Sequence, residues 1–272
     1  MSATATLVIR WLGTARVIAL TPLVILFMLV CDLRLRFVIA LKKEQFIRTV
    51  LARHAHGLMW MLKVCWGVKL KVDPRLTALL SAPGCTIAVA NHRSPLDILV
   101  LLHMYRARSP YFVCRPGLEQ GLPVISPLAR YMCAVLSGTA SKNNALLRRL
   151  GQNIAATGGV GIIFPEGRKT QHNYPDLLPF QPGGLSRLAE AAPSARVVAV
   201  ALRGTHEAWP GPWGLPKSGV TIEATLAACV SQEQFEPRQL ARHCEAAIRS
   251  ALTRPTESTR TPEGLWTSSP TH

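Results

Sequence analysis

Acidic and aromatic residues are both scarce in this sequence. Only 15 of its 272 residues are Asp or Glu, against 31 Lys or Arg, and aromatic residues make up 6%. Charged residues amount to 17% and apolar residues to 49%, which excludes an intrinsically disordered chain. The length fits one large domain with appendages. The net charge of +16 is typical of proteins that bind nucleic acid, an anionic membrane or a phosphorylated substrate, so its distribution must decide.

Closely spaced cysteines are also missing. The seven Cys residues include no Cys-x-x-Cys pair, and their odd number is typical of reduced thiols in a domain that faces the cytoplasm. His54 and His56 form the one tight histidine pair, with no cysteine or second ligand pair nearby in the sequence. We therefore expect no metal site.

The first 75 residues are both basic and apolar. They carry 12 Lys or Arg against three acidic residues, and hence nine of the sixteen net charges. Residues 17–31 contain no charge, but this run of 15 is shorter than the roughly 20 residues of a full span and contains Pro22. A short or tilted span and a helix pair embedded in one leaflet are the alternatives. No small-x-small cleavage motif follows, so we assign residues 1–72 to a retained, membrane-associating helical segment at the inner (cytoplasmic) membrane.

From residue 73 onward, short apolar runs alternate with helix-length segments. This alternation predicts an α/β domain over residues 73–253, with a largely parallel central sheet flanked by helices. Residues 254–272 are polar and rich in Pro, Ser and Thr, and we predict a disordered tail. The predicted strands are 85–90, 111–114, 160–164, 196–202 and 220–227, and the predicted helices are 94–105, 122–135 (broken at Pro127), 144–157, 183–192 and 234–252.

Two polar segments directly follow predicted strands, where ligands bind in parallel sheets. The first is NHRSPLD at 91–97. Ser94, Pro95 and Asp97 fit a capped helix start, which requires no catalysis. That interpretation leaves His92 unexplained, and a histidine held by a carboxylate such as Asp97 can accept a proton at its other ring nitrogen. On spacing alone, both interpretations stay open.

The second segment, FPEGRKT at 164–170, gathers charge and backbone donors in one loop. Gly167 allows the backbone to approach a ligand closely, and Arg168 and Lys169 follow it. Taken alone, the loop could equally be a solvated polar turn. Two such loops at one edge of a sheet favour a binding site.

Together, the His-x4-Asp motif, the Phe-Pro-Glu-Gly motif about 70 residues later and LLPFQPGG at 177–184 closely resemble the glycerolipid (lysophospholipid) acyltransferase family, typified by bacterial 1-acyl-sn-glycerol-3-phosphate acyltransferase. The resemblance covers roughly residues 85–205. It implies an O-acyltransferase that uses acyl-CoA or acyl-carrier protein, with membrane lipids as partners and no metal or other cofactor. His92 would be the general base, Asp97 its orienting partner, and Glu166 and Gly167 part of an acceptor-binding loop whose amides support the oxyanion.

The sequence departs from the family pattern where the acceptor phosphate is contacted. The family has an arginine at the position of Lys169, with Arg168 one place earlier here; Lys142 is the nearest basic substitute for a second arginine, and Gln181 stands in place of a lysine. Lysine loses the bidentate recognition that arginine gives phosphate. We expect 1-acyl-glycerol-3-phosphate as the acceptor, with another lysolipid, such as a lyso-aminolipid of the lyso-ornithine type, as the alternative.

A non-catalytic basic binder of membranes or nucleic acid is the remote alternative. The scarcity of aromatic residues argues against nucleic acid, because single strands are bound on stacking platforms. We therefore expect no nucleic-acid partner.

Overall fold

The structure, a computed structural model, describes residues 3–41, 44–108, 110–114, 116, 125–136, 138–169, 176–211, 214–231 and 234–254. Short π- and 3-10-helical turns lie at Leu62–Trp66 and Arg106–Arg108. The α-helices are α1 (Ala3–Ala40), α2 (Glu44–Met61), α3 (Pro74–Ser81), α4 (Pro95–Met104), α5 (Ile125–Met132), α6 (Ala140–Thr157), α7 (Pro182–Ala191), α8 (Thr205–Ala208) and α9 (Pro237–Thr253). The strands are β1 (Lys69–Val72), β2 (Thr86–Ala90), β3 (Pro110–Cys114), β4 (Cys133–Val135), β5 (Val160–Ile163), β6 (Arg196–Arg203) and β7 (Thr221–Ser231).

The strands form one sheet in the order β1-β7-β6-β2-β5-β3-β4. Neighbouring strands in this sheet are parallel, except that β6 and β7 are antiparallel. Alternate residues of β2 pack on opposite faces: Ala88 and Ala90 join a hydrophobic cluster with α2 and α4, whereas Ile87 and Val89 join one with α6, α7 and α9. Because helices cover both faces, the central strands are apolar throughout. The predicted α/β fold with a largely parallel, helix-flanked sheet is confirmed.

Both edge strands differ from the sequence prediction. Residues 133–135, predicted as the end of a broken helix, form β4 beside β3. The helix prediction was wrong there because α5 ends at Met132. The predicted break at Pro127 is absent, because Pro127 lies in the first turn of α5, where proline is tolerated. Residues 122–124 of the predicted helix lie outside the described residues. Lys69–Val72, the end of the segment assigned to membrane association, forms β1 beside β7. The predicted tail beyond Arg254 also lies outside the described residues.

The apolar run at the N-terminus is the middle of a longer helix. α1 has 38 residues and continues through Pro22. Within the described part of the chain, one helix is long and apolar enough to cross a membrane, over Trp11–Ala40 with a mean hydropathy of 2.2. α2 folds back along α1, so that Gly57 lies against Phe27. Within Trp11–Ala40, the exposed large apolar side chains are Trp11, Leu12, Ile18, Leu23, Ile25, Leu26, Leu29, Val30, Leu33 and Phe37.

Candidate active site

The two polar segments singled out in the sequence meet at the carboxyl edge of the sheet. β2 and β5 are parallel neighbours, with Val89 opposite Ile163. His92 and Glu166 each lie three residues beyond this pair, so the two loops emerge side by side. The backbone N–H of His92 donates to Glu166 Oε1 at 2.7 Å. The structure therefore brings together the two segments that the sequence placed at one edge.

Asp97 both caps α4 and holds His92. Ser94 is the N-cap, and its side chain accepts a hydrogen bond from the N–H of Leu96. Asp97 Oδ2 accepts from the backbone N–H groups of Arg93 and Ser94 at 2.6 and 2.7 Å, which closes the capping box. The same oxygen lies 2.9 Å from His92 Nδ1. The capping and acid-base interpretations are thus compatible, because one buried carboxylate does both.

The imidazole of His92 is fixed with one nitrogen left for a ligand. A carboxylate only accepts, so Nδ1 carries the proton toward Asp97 and Nε2 has the lone pair. The ring stacks on Phe164, with centroids 4.4 Å apart and planes at 24°. Its side chain is 16% exposed. Nε2 has no hydrogen-bond partner among the residues that the structure describes. This geometry suits a general base.

Glu166 lies behind the site and joins its loops. Only 2% of it is exposed, and its two oxygens accept from the backbone N–H groups of His92 and, at 2.9 Å, of Leu178. Burial raises the pKa of Glu166, although both N–H groups favour the charged form. The geometry therefore favours a bracing role for Glu166 over the substrate-binding role expected from the sequence.

The remaining predicted residues line the surface of this edge. Gly167 has a φ of 68°, and its N–H donates to the carbonyl of Phe164 at 3.0 Å, so this amide is occupied within the turn. Arg168 and Lys169 are exposed. The amino group of Lys169 lies near Gly211, in the connection between β6 and β7. A Cβ added to Gly211 would be 3.7 Å from Lys169 Nζ.

Lys142 lies on a different element from the two motif loops. It is exposed in the first turn of α6, which follows the edge strand β4. We find no hydrogen bond or ion pair that joins it to another site residue within the described ranges. The structure therefore joins His92, Asp97 and Glu166 by hydrogen bonds, whereas Lys142 lies on a separate element that follows an edge strand of the same sheet.

A chain of contacts that the sequence did not indicate connects the site to α1. Ser94 Oγ donates to the carbonyl of Trp209 at 2.5 Å. The Trp209 ring packs edge-on against Trp66, with centroids 6.5 Å apart. Trp66 Nε1 in turn donates to Thr21 Oγ1 of α1 at 3.2 Å. The sequence pattern gives no signal for these contacts, because the two hydrogen bonds join positions 45 and 115 residues apart.

Residues 78–203 match the family model described as Acyltransferase, and this region contains both motif loops. The part of the chain that carries both motifs is therefore similar to the acyltransferase family. The fold of the chain is similar to that of the 1-acyl-sn-glycerophosphate (LPA) acyltransferase PlsC from Thermotoga maritima, whose crystal structure is known. The TM-score is 0.68 at 16% identity, over 92% of this chain and 99% of that chain. A comparison with curated proteins found no match. The predicted resemblance to this family and the predicted enzyme class, an O-acyltransferase, are confirmed.

Proposed function

We propose that this acyltransferase moves a fatty acyl group from acyl-CoA or acyl-carrier protein to the hydroxyl of a lysolipid. The acceptor is 1-acyl-sn-glycerol-3-phosphate and the product is phosphatidate. The observation that carries the proposal is the His92 imidazole, held at 2.9 Å by the buried carboxylate of Asp97. The likeness to a fold whose known member acts on a lysophosphatidate supports the choice of acceptor.

The chemistry requires no covalent enzyme intermediate. His92 Nε2 takes the proton of the acceptor hydroxyl while the hydroxyl oxygen attacks the carbonyl carbon of the thioester. The tetrahedral intermediate collapses with cleavage of the carbon–sulfur bond, and the imidazolium returns the proton to the leaving thiolate. Asp97 stabilises the imidazolium between these steps. Backbone amides beside Gly167 stabilise the oxyanion. Neither a metal nor another cofactor takes part.

The acceptor headgroup binds to cationic side chains at the same edge. Arg168 and Lys169 are exposed in the loop that Glu166 braces, and we assign them the phosphate, with Lys142 in support. One observation favours a different headgroup as the second candidate. Gln181 is uncharged, whereas the family resemblance leads us to expect a lysine at this position. It is the N-cap of α7, and its backbone N–H donates to the carbonyl of Pro165, next to Glu166. A lyso-aminolipid is therefore the alternative acceptor.

The N-terminal helix supports attachment to the membrane from which a lysolipid is drawn. Its apolar stretch, Trp11–Ala40, has 30 residues, which span about 45 Å as a helix, enough for the hydrocarbon core. We propose that α1 and α2 hold the enzyme at the inner membrane with the α/β domain on the cytoplasmic side, where acyl thioesters are available.

A panel of acceptors tests the proposal. The full-length protein in detergent is offered 1-acyl-glycerol-3-phosphate, other lysophospholipids and lyso-ornithine lipid with labelled acyl-CoA or acyl-carrier protein, and products are identified by mass. We expect phosphatidate as the main product, and Gln181→Lys should increase the preference for the phosphate acceptor. A main product from lyso-ornithine lipid would establish the alternative, and no product from any lysolipid would refute the proposed function.

A further inference from the structure

An open cavity lies at the opposite edge of the sheet from His92. It has a volume of about 420 Å³ between α2, the turn after α4 and the start of β3, a size within the usual range of ligand pockets. Pro110, which lines it, is opposite Val160, and Val160 is opposite Thr86 at the start of β2. The five residues of β2 rise about 15 Å toward the site loops. The cavity is therefore separate from the catalytic site.

The lining of this cavity is strongly cationic. Arg48 and Arg53 contribute from α2, and Arg106 contributes from the turn after α4; His56 of α2 also lines the cavity. Among the residues that the structure describes, no Asp or Glu lines the cavity, and none of their ion pairs involves these arginines. Three arginines that line one cavity favour an anion over a cation as its ligand, because opposite charges attract.

Neighbouring contacts hold the cationic groups in place. The guanidinium of Arg48 lies over the ring of Tyr111, 4.0 Å from its centroid. Arg106 Nη1 donates to the carbonyl of His103 at 2.8 Å. The ring of His56 stacks on that of His103, with centroids 5.1 Å apart and planes at 6°. Arginine presents a rigid fork of donors that matches the oxygens of phosphate, so a phosphate group is the anion that this lining fits best.

Two exposed aromatic side chains of α2 favour a lipid over a soluble phosphate compound as the ligand. Phe46, Arg53 and Trp60 are seven residues apart, so they lie along one stripe of α2. Phe46 is 48% exposed and Trp60 is 58% exposed. A soluble phosphate compound requires only the cations, whereas a phospholipid also requires an apolar surface for its chains. Exposed aromatic side chains next to cationic groups are typical of a membrane interface.

We propose that this cavity binds the phosphate of an anionic membrane phospholipid, whose acyl chains lie along Phe46 and Trp60. The site is an anchoring site, distinct from the one that binds the acceptor. The proposal does not depend on the identity of the acceptor. Free phosphate shares the headgroup's chemistry, so the test must separate the two sources.

Co-flotation of the full-length protein with vesicles tests the proposal. Vesicles of phosphatidylcholine alone are compared with vesicles that also contain phosphatidylglycerol. The triple variant R48Q/R53Q/R106Q should bind the anionic vesicles about tenfold or more weakly than wild type, because each basic residue near a membrane surface contributes severalfold. Its binding to phosphatidylcholine vesicles should not change.

The matched control removes the same charge elsewhere. Arg148 and Arg149 on α6 and Arg242 on α9 are exposed, and their helices pack on the face of the sheet away from α2. The variant R148Q/R149Q/R242Q should stay within about twofold of wild type on anionic vesicles. An equal loss in both triple variants, or no loss in the first, would overturn the proposal, because binding would then follow net charge or the apolar helices alone.

Two further measurements complete the test. Ala52 lines the cavity, so Ala52→Glu places a carboxylate among the arginines and should weaken anionic-vesicle binding even if the triple variant does not fold; Ala145→Glu on α6 is its control. Calorimetric titration of the detergent-solubilised protein with inorganic phosphate separates the two sources. We expect no saturable binding. Saturable phosphate binding that the triple variant lacks would reassign the cavity to a soluble phosphate ligand.

Discussion

Replacement of Asp97 by Asn removes the charge that faces His92 while it keeps the shape of the side chain. The amide oxygen can still accept from Arg93 and Ser94, but the imidazolium formed during transfer loses its partner at 2.9 Å. A hydrogen bond to a charged group contributes about 1.5–3 kcal/mol, compared with about 0.5–1.5 kcal/mol for a neutral one. The difference of about 1–2 kcal/mol predicts a kcat that is roughly 5- to 30-fold lower.

The decrease in kcat becomes larger if the side-chain amide nitrogen of the Asp97→Asn variant turns toward His92 Nδ1. The imidazole then holds its proton at Nε2, the wrong tautomer for a base, and the comparable change in a catalytic triad costs about 10⁴-fold. Thiol release from acyl-CoA, followed at varied acceptor concentrations, gives kcat and KM separately. Asp73→Asn is the matched control, because Asp73 is the N-cap of α3 beside the edge strand β1. A change confined to KM in Asp97→Asn, with kcat intact, would refute the role of Asp97.

Four further substitutions test the rest of the site. Burial raises the pKa of Glu166, so the folded protein holds this proton more tightly than the unfolded chain, and wild type should lose stability as the pH rises from about 4.3 through the raised pKa. Glu166→Gln should lack that loss in thermal unfolding at varied pH, and identical pH profiles would contradict this account. Ser94→Ala removes a helix cap and the bond to Trp209, and should lower the free energy of unfolding in urea by about 1–2 kcal/mol; no change in the urea midpoint would argue against the cap. Lys169→Ala and Arg168→Ala should each raise the acceptor KM severalfold without a change in kcat, and an unchanged KM in both would remove them from headgroup binding.

The central strands were predictable because their physical situation is simple. β2 and β5 are buried on both faces, so each has a continuous apolar run. The edge strands lack that signal: β1 is KLKV, half exposed, and β4 has three residues. β4 also follows α5 without a break in the sequence pattern, so its apolar residues were assigned to the helix. An edge strand forms because it pairs with the strand beside it, and the hydrophobic periodicity of its own residues does not indicate that pairing.

The same division holds for the site. The His92–Asp97 contact spans five residues and follows from a helix cap that the sequence already predicts. The approach of the two loops follows from strand adjacency. The bond from the His92 amide to Glu166 and the Phe164 stack join positions more than 70 residues apart, and the bond from Ser94 to Trp209 spans 115. Such contacts arise only from tertiary packing, so the bracing role of Glu166 could not be derived from spacing.

The central claim is that Nε2 of His92 removes the proton from the acceptor hydroxyl. Single-turnover acyl transfer from labelled acyl-CoA, with wild type and His92→Ala compared at saturating acceptor, tests it most directly. His243→Ala is the control, because His243 lies on α9 against Phe235, away from the site. The account predicts a rate that is about 10²–10⁴-fold lower in His92→Ala, with unchanged vesicle binding and an unchanged rate in His243→Ala. A rate for His92→Ala within a few fold of wild type would contradict it.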